Sequence, residues 1–281
     1  MKLNEIHLRD PFMLADNDKY YLYGTRCGEM KPPGFDVYIS DDLDEWSNPA
    51  EVFGKSENFW SDRDYWAPEV HKYKGRYYMF ATFKSETRRS GTQILVSDNP
   101  SGPFAAHSET PVTPSDWECL DGTFYIDKTG TPYMIFCHEW VQINDGEMCA
   151  VQLSQDLRTA AGKPFLLFTA SEPDWAMKDK PTFVTDGPFL YRSANGELLM
   201  IWSSFSHNGY VEAVAYSDNG EINGKWNHKP DLLFSRDGGH GMIFTSKAGK
   251  LMFIMHSPNI SPNERPVLKN IYEKNGTLYT L

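Results

Sequence analysis

The chain has 281 residues, enough to bury a sizeable core as one large domain or two small ones, and its 40% apolar and 23% charged residues exclude a disordered polymer. A formal net charge of −11 argues against a nucleic-acid partner, because phosphate backbones are gripped by clustered Lys and Arg. No apolar run approaches the 18 or so residues of a membrane span, and the opening Met1–His7 lacks the apolar stretch of a secretory signal. The expectation is therefore a cytoplasmic protein, or a secreted or periplasmic one already trimmed of its leader. Cys27, Cys119, Cys137 and Cys149 show no C-x-x-C pairing, so reduced thiols are expected rather than a zinc site or a disulfide scaffold.

Taken in chain order, one short pattern returns five times: RDPFML around Asp10, WAPEVHKY around Ala67, LDGTFYI around Asp121, TDGPFLY around Asp186 and GHGMIFT around His240. These anchors stand 54 to 65 residues apart. Each is followed by a polar turn (ADNDK, YKG, DKTGT, SANGE, SKAGK) and then by an apolar and aromatic run beginning at Tyr20, Tyr77, Pro132, Leu198 or Leu251. Such a unit reads as a hairpin of two strands. A third strand closes on Ser40, Ser97, Ser154 and Ser217, repeating the same period independently. The spacing predicts an all-β, five-bladed β-propeller over residues 1–281, with four-stranded antiparallel blades around a central channel.

In a propeller the first residues of the innermost strands converge at one mouth of the channel, and antiparallel second strands end at that same mouth. Asp10, Ala67, Asp121, Asp186 and His240 are therefore expected together, with the second-strand ends Thr25-Arg26, Thr82-Phe83, His138-Glu139-Trp140, Ser203-Ser204-Phe205 and His256-Ser257 beside them. Three carboxylates and an imidazole in one funnel raise or depress one another's pKa, which is what acid/base chemistry uses. Glu139 adds a fourth carboxylate. Trp66, Trp140 and Phe205 offer flat faces to a sugar ring, or simply pack the blades. Arg9 and Arg26 are candidates for bonding sugar hydroxyls or for pairing with the carboxylates.

The RDPF-turn-YYLYGT opening, the WAPEV, the LDGTFYI and the GGHGMIF resemble glycoside hydrolase family 43 over essentially the whole chain. The resemblance implies an inverting hydrolase of plant-wall arabinosides and xylosides acting on an oligosaccharide or polysaccharide. It also implies Asp10 as general base and Asp121 as the group that modulates and orients the acid. His240 resembles the family's axial histidine, which often accompanies a water-coordinated Ca²⁺ in the channel, so a structural calcium is an expectation although no cofactor is required. The family's acid is Glu in an E-G-P motif, whereas this chain has Asp186-Gly187-Pro188. An Asp carboxyl sits about 1.5 Å further back, and an error of about 1 Å can cost on the order of a hundredfold in rate. Glu139, with its longer stem, is therefore preferred over Asp186 as the proton donor.

Inversion requires base and acid about 6.5–9.5 Å apart, leaving room for water. The expected activity is exo-acting α-L-arabinofuranosidase, with β-xylosidase as the alternative. The segments 28–35 and 141–146 are expected to wall a pocket. A carbohydrate-binding propeller without catalysis is the reading from another class.

Overall fold

The computed structural model describes residues 1–27 and 33–281, so most of the expected wall at 28–35 lies outside the described residues. Five four-stranded antiparallel sheets follow one another along the chain, each in simple meander order. Blade 1 holds β1 (Leu8–Asp16), β2 (Lys19–Arg26), β3 (Gly34–Ser40) and β4 (Ala50–Gly54). Blade 2 holds β5 (Arg63–Tyr73), β6 (Arg76–Lys84), β7 (Gly91–Ser97) and β8 (Ala105–Ala106). Blade 3 holds β9 (Cys119–Ile126), β10 (Pro132–His138), β11 (Glu147–Gln152) and β12 (Phe165–Thr169), with a four-residue helix α1 (Trp140–Ile143) after β10. Blade 4 holds β13 (Asp186–Arg192), β14 (Leu198–Ser206), β15 (Gly209–Ser217) and β16 (Trp226–His228). Blade 5 holds β17 (Gly239–Thr245), β18 (Leu251–Ser257), β19 (Arg265–Lys274) and β20 (Thr277–Thr280). The protein is a five-bladed β-propeller.

The second strands are buried along almost their whole length, as in Tyr77–Phe83 of β6 and Leu198–Ser204 of β14. Each is flanked by blades on both faces, so an uninterrupted apolar run replaces the alternation of a half-exposed strand. Apolar clusters accordingly fill the gaps between blades, for example Ile135, Phe168, Met200 and Trp202 between blades 3 and 4. All four cysteines are free thiols. The serines that close the third strands serve the turns that follow: Ser40 Oγ accepts from the amide of Leu43, and Ser97 Oγ from that of Asn99.

A single backbone device repeats at the channel mouth. Asp10, Ala67, Asp121, Gly187 and His240 all have left-handed φ, between 44° and 56°. Each sits where the register of the first strand shifts against the second. The residue before each faces a fixed partner: Arg9 opposite Thr25, Trp66 opposite Thr82, Leu120 opposite Cys137, Asp186 opposite Ser203 and Gly239 opposite His256. The fourth anchor is therefore Gly187 and not Asp186, which lies one position earlier. The third-blade partner is Cys137 rather than His138.

The kink turns each anchor's amide across to the preceding blade. Ala67 N–H donates to Thr25 Oγ1 at 2.7 Å, Asp121 N–H to Thr82 Oγ1 at 3.0 Å and His240 N–H to Ser203 Oγ at 2.7 Å. Between blades 5 and 1, Asp10 N–H donates to His256 Nδ1 at 3.2 Å. In blade 3 the equivalent partner is Cys137, whose thiol is a weak acceptor. There the Gly187 N–H turns instead to Asp121 Oδ2, at 3.1 Å.

Removing one acceptor leaves a buried amide without a partner, at a cost of about 1–3 kcal/mol. Thr82→Val, equal in shape, should lower the urea unfolding free energy by about that amount; no measurable loss would contradict the inter-blade role of the hydroxyl.

Candidate active site

At the mouth lies a cavity of about 300 Å³ lined by Arg9, Asp10, Thr25, Trp66, Leu120, Asp121, Asp186 and His240. Five of the expected site residues outside the second-strand ends thus meet in one place with Arg9, drawn from blades 1 to 5. A second concavity of about 180 Å³ is lined by Trp140, Met177, Lys180, Phe183, Val184 and Phe205 among others. Val184 lines this hollow and Asp186, two residues later, the first. Trp66 and Trp140 are each 37% exposed.

Asp10 is buried and held from several sides. Thr25 Oγ1 donates to its Oδ2 at 2.6 Å, while His240 Nδ1 stands 3.2 Å and Arg9 Nε 3.6 Å from its Oδ1. Burial alone would raise its pKa, but His240 and then Arg9 outweigh burial and push it below the usual carboxylate range. His256 lowers it less than these two: its Nδ1 accepts the Asp10 amide, Nε2 faces Asn259 Oδ1 at 3.1 Å, and burial takes its own pKa down to about 4.

The other two carboxylates move the opposite way. Asp121 is raised by burial first, then by Asp186 and Asp10, against the opposing pull of His240. Asp186 is raised by burial and by Asp10, against His240 and a hydrogen bond from Tyr210. His240 loses by burial but gains more from Asp10, Asp121 and Asp186, and rises to about 9. It is the cation that lets three buried acids share one funnel.

Two expected residues fall elsewhere. Arg26 does not line the cavity: its Nε and Nη2 bond Asp36, at 2.9 and 2.6 Å, and Nη2 also bonds Glu51 at 2.8 Å, so it ties β2 to β3 and β4. Glu139 does not line it either. Its carboxyl is buried with Oε1 unpartnered, and burial, then Asp186 and Glu118, push its pKa up to about 7. That value suits an acid, but position decides before pKa. Arg9 keeps its place through Glu264, a fully buried carboxylate of blade 5 at 3.0 Å.

Sequence reasoning passed over Tyr210 and Glu212, which reach the site from a third strand. Tyr210 Oη donates to Asp186 Oδ2 at 2.9 Å, and Glu212 Oε2 accepts from Ser203 Oγ at 2.9 Å and from Gly241 N–H at 3.0 Å. Their only trace in the sequence is a carboxylate inside the otherwise apolar VEAVAY and a tyrosine directly after Gly209. Among the described residues no group of three or more His, Cys, Asp or Glu is arranged to hold a metal ion. His240 Nδ1 faces the carboxylates of Asp10 and Asp121, at 3.2 and 3.8 Å.

Residues 4–278 match the glycosyl hydrolases family 43. The chain belongs to this family. An endo-arabinase of Bacteroides thetaiotaomicron is 42% identical to this family-43 chain, with a TM-score of 0.91 over 99% of this chain and 98% of its own. An extracellular exo-alpha-(1->5)-L-arabinofuranosidase of Cellvibrio japonicus is 24% identical over 56% of this chain and 46% of that protein. An extracellular endo-alpha-(1->5)-L-arabinanase of Bacillus subtilis is 24% identical over 57% and 53%. This family-43 chain thus spans about half the length of the curated relatives it matches.

The raised imidazole makes a pH prediction. An unfolded histidine titrates near 6.5 and folded His240 near 9, so its contribution to stability is complete below about pH 6.5 and disappears as pH climbs toward 9. The raised carboxylates Asp121 and Asp186 act in the same direction. Urea midpoints should fall between pH 6.5 and 9, and His240→Gln should flatten that fall; a midpoint rising across this range would contradict the ion cluster.

Proposed function

We propose that this family-43 protein hydrolyses α-1,5-linked L-arabinofuranosyl chains with inversion of configuration. The observation that carries the reading is the electrostatic contrast inside one cavity: Asp10 is held ionised, while Asp186 is held toward its protonated form. Two carboxyls whose surroundings push their pKa values apart are fitted to opposite roles. Asp10 takes a proton from water as that water attacks the anomeric carbon, and Asp186 gives a proton to the departing glycosidic oxygen. Asp121, whose Oδ2 accepts the Gly187 amide, fixes the backbone next to the acid. Trp66 supplies an apolar face to a sugar ring, and Arg9 donors for its hydroxyls. No step above depends on a calcium ion.

The arabinan preference is supported by the relatives named for α-1,5-linked arabinose and by the 42% identical endo-arabinase. Exo attack remains the first reading, because the central cavity is small. Internal attack is a second reading, favoured by the further hollow of Trp140 and Phe205, which would lodge other units of a chain. Product analysis on linear arabinan separates them: arabinose and very short products from the first minutes indicate exo attack, and long fragments internal attack. Xylo-oligosaccharides run in parallel test the xylosidase alternative.

Catalytic roles are read by pairing substrates. An aryl arabinofuranoside has a leaving group that needs little acid help, whereas arabinotriose needs much. Asp10→Asn should lose roughly 10²–10⁴-fold on both. Asp186→Asn should lose as much on arabinotriose and far less on the aryl substrate, and Glu139→Gln should spare both. Wild-type turnover equal to that of Asp10→Asn would leave a sugar-binding propeller without catalysis.

A further inference from the structure

We infer that Tyr210 is a positioning residue for Asp186: its hydroxyl holds one carboxyl oxygen so that the other carries the proton toward the leaving group. This rests on the reading of Asp186 as the general acid.

Asp186 opens β13 opposite Ser203 of β14, and Tyr210 lies one strand further out, on β15, opposite Phe205. Only a long side chain spans that diagonal. The Tyr210 hydroxyl reaches Asp186 Oδ2 at 2.9 Å, and a phenol at neutral pH donates that bond. A carboxylic acid accepting at Oδ2 keeps its own proton on Oδ1.

The rest of the molecule is arranged to hold this ring. Tyr210 is 1% exposed, and it packs against Phe205 at 5.2 Å and lies nearly parallel to His256 at 5.7 Å. Its carbonyl accepts the Gly238 amide at 2.9 Å. At Gly239 a Cβ would stand 3.0 Å from Tyr210 Cε1 and 2.4 Å from Ser203 Oγ, so the absence of a side chain there makes room for both. The ring also rests on His256, which holds the amide of Asp10. Acid and base are thereby referred to one stack. Acceptance of a hydrogen bond by the charged form of Asp186 lowers its pKa, against burial, which keeps the acid from being protonated too firmly to donate. The pairing suits an aspartate: at position 186 a glutamate would carry its carboxyl one methylene past the hydroxyl.

Tyr210→Phe removes the hydroxyl and keeps the ring, so folding is preserved. Turnover of arabinotriose should fall roughly 10- to 100-fold, the scale of a lost hydrogen bond to a charged group, with a much smaller fall on the aryl arabinofuranoside. The alkaline limb of its kcat/KM profile should move to higher pH. In an Asp186→Asn background the same change should cost nothing further on arabinotriose. Equal losses on both substrates, additive with Asp186→Asn and with an unmoved limb, would make Tyr210 merely structural and overturn the inference, as would wild-type behaviour. Should Asp186→Asn itself keep its activity on arabinotriose, the acid assignment fails and the inference with it. If Asp186→Asn is inactive there and Tyr210→Phe is not impaired, the inference alone fails.

Discussion

Everything at the mouth of this propeller depends on a backbone amide crossing from one blade to the next. Four of the five crossings end on a side chain one strand in from the channel: Thr25, Thr82, Ser203 and His256. The left-handed kink that aims each amide is unfavourable for residues other than glycine, and is tolerated because the neighbouring sheets hold it from both sides. The reward is placement. Residues separated by more than two hundred positions, such as Asp10 and His240, end within 3.2 Å of each other. The exception carries meaning as well: where Cys137 offers no good acceptor, the carboxylate of Asp121 takes the amide and becomes part of the frame.

The frame then sets the electrostatics. A single imidazolium between Asp10 and Asp121 compensates buried negative charge unevenly, because it stands closer to Asp10, at 3.2 Å, than to Asp121, at 3.8 Å. Arg9, fixed by Glu264 from blade 5, adds to the same bias. The result is one acid driven down and two driven up within a cavity of about 300 Å³. Gly187 is part of this arrangement. A Cβ there would stand 2.7 Å from the His240 ring, so both its left-handed φ and the approach of the imidazole require glycine.

The fold was legible because the repeat rests on backbone demands that leave residue signatures: a small or acidic anchor, a polar turn, an apolar run. The funnel was legible for the same reason, since Asp10, Asp121 and His240 are themselves anchors. The fourth blade departs from the expected register by one residue, because the left-handed kink falls on Gly187 and not on the charged Asp186 before it. Arg26 was misplaced because its acidic partners, Asp36 and Glu51, are spread over two later strands and become neighbours only through β3 and β4. Glu139 has the longer reach, yet the register places Cys137, not His138, opposite the third-blade kink, and Glu139 is not among the residues that line the cavity. Tyr210 and Glu212 were invisible to a reading confined to first and second strands. The paired glycines around His240 were the available sign of a close neighbour.

The central claim is that Asp10 directs water against the face of the sugar opposite Asp186. Proton NMR of arabinan hydrolysis in its first minutes, before mutarotation, tests this most directly. The account predicts that β-L-arabinofuranosyl reducing ends appear first, inverted from the α-linkage. Initial release of the α-anomer would contradict it, because retention requires a covalent intermediate or attack from the same face of the sugar.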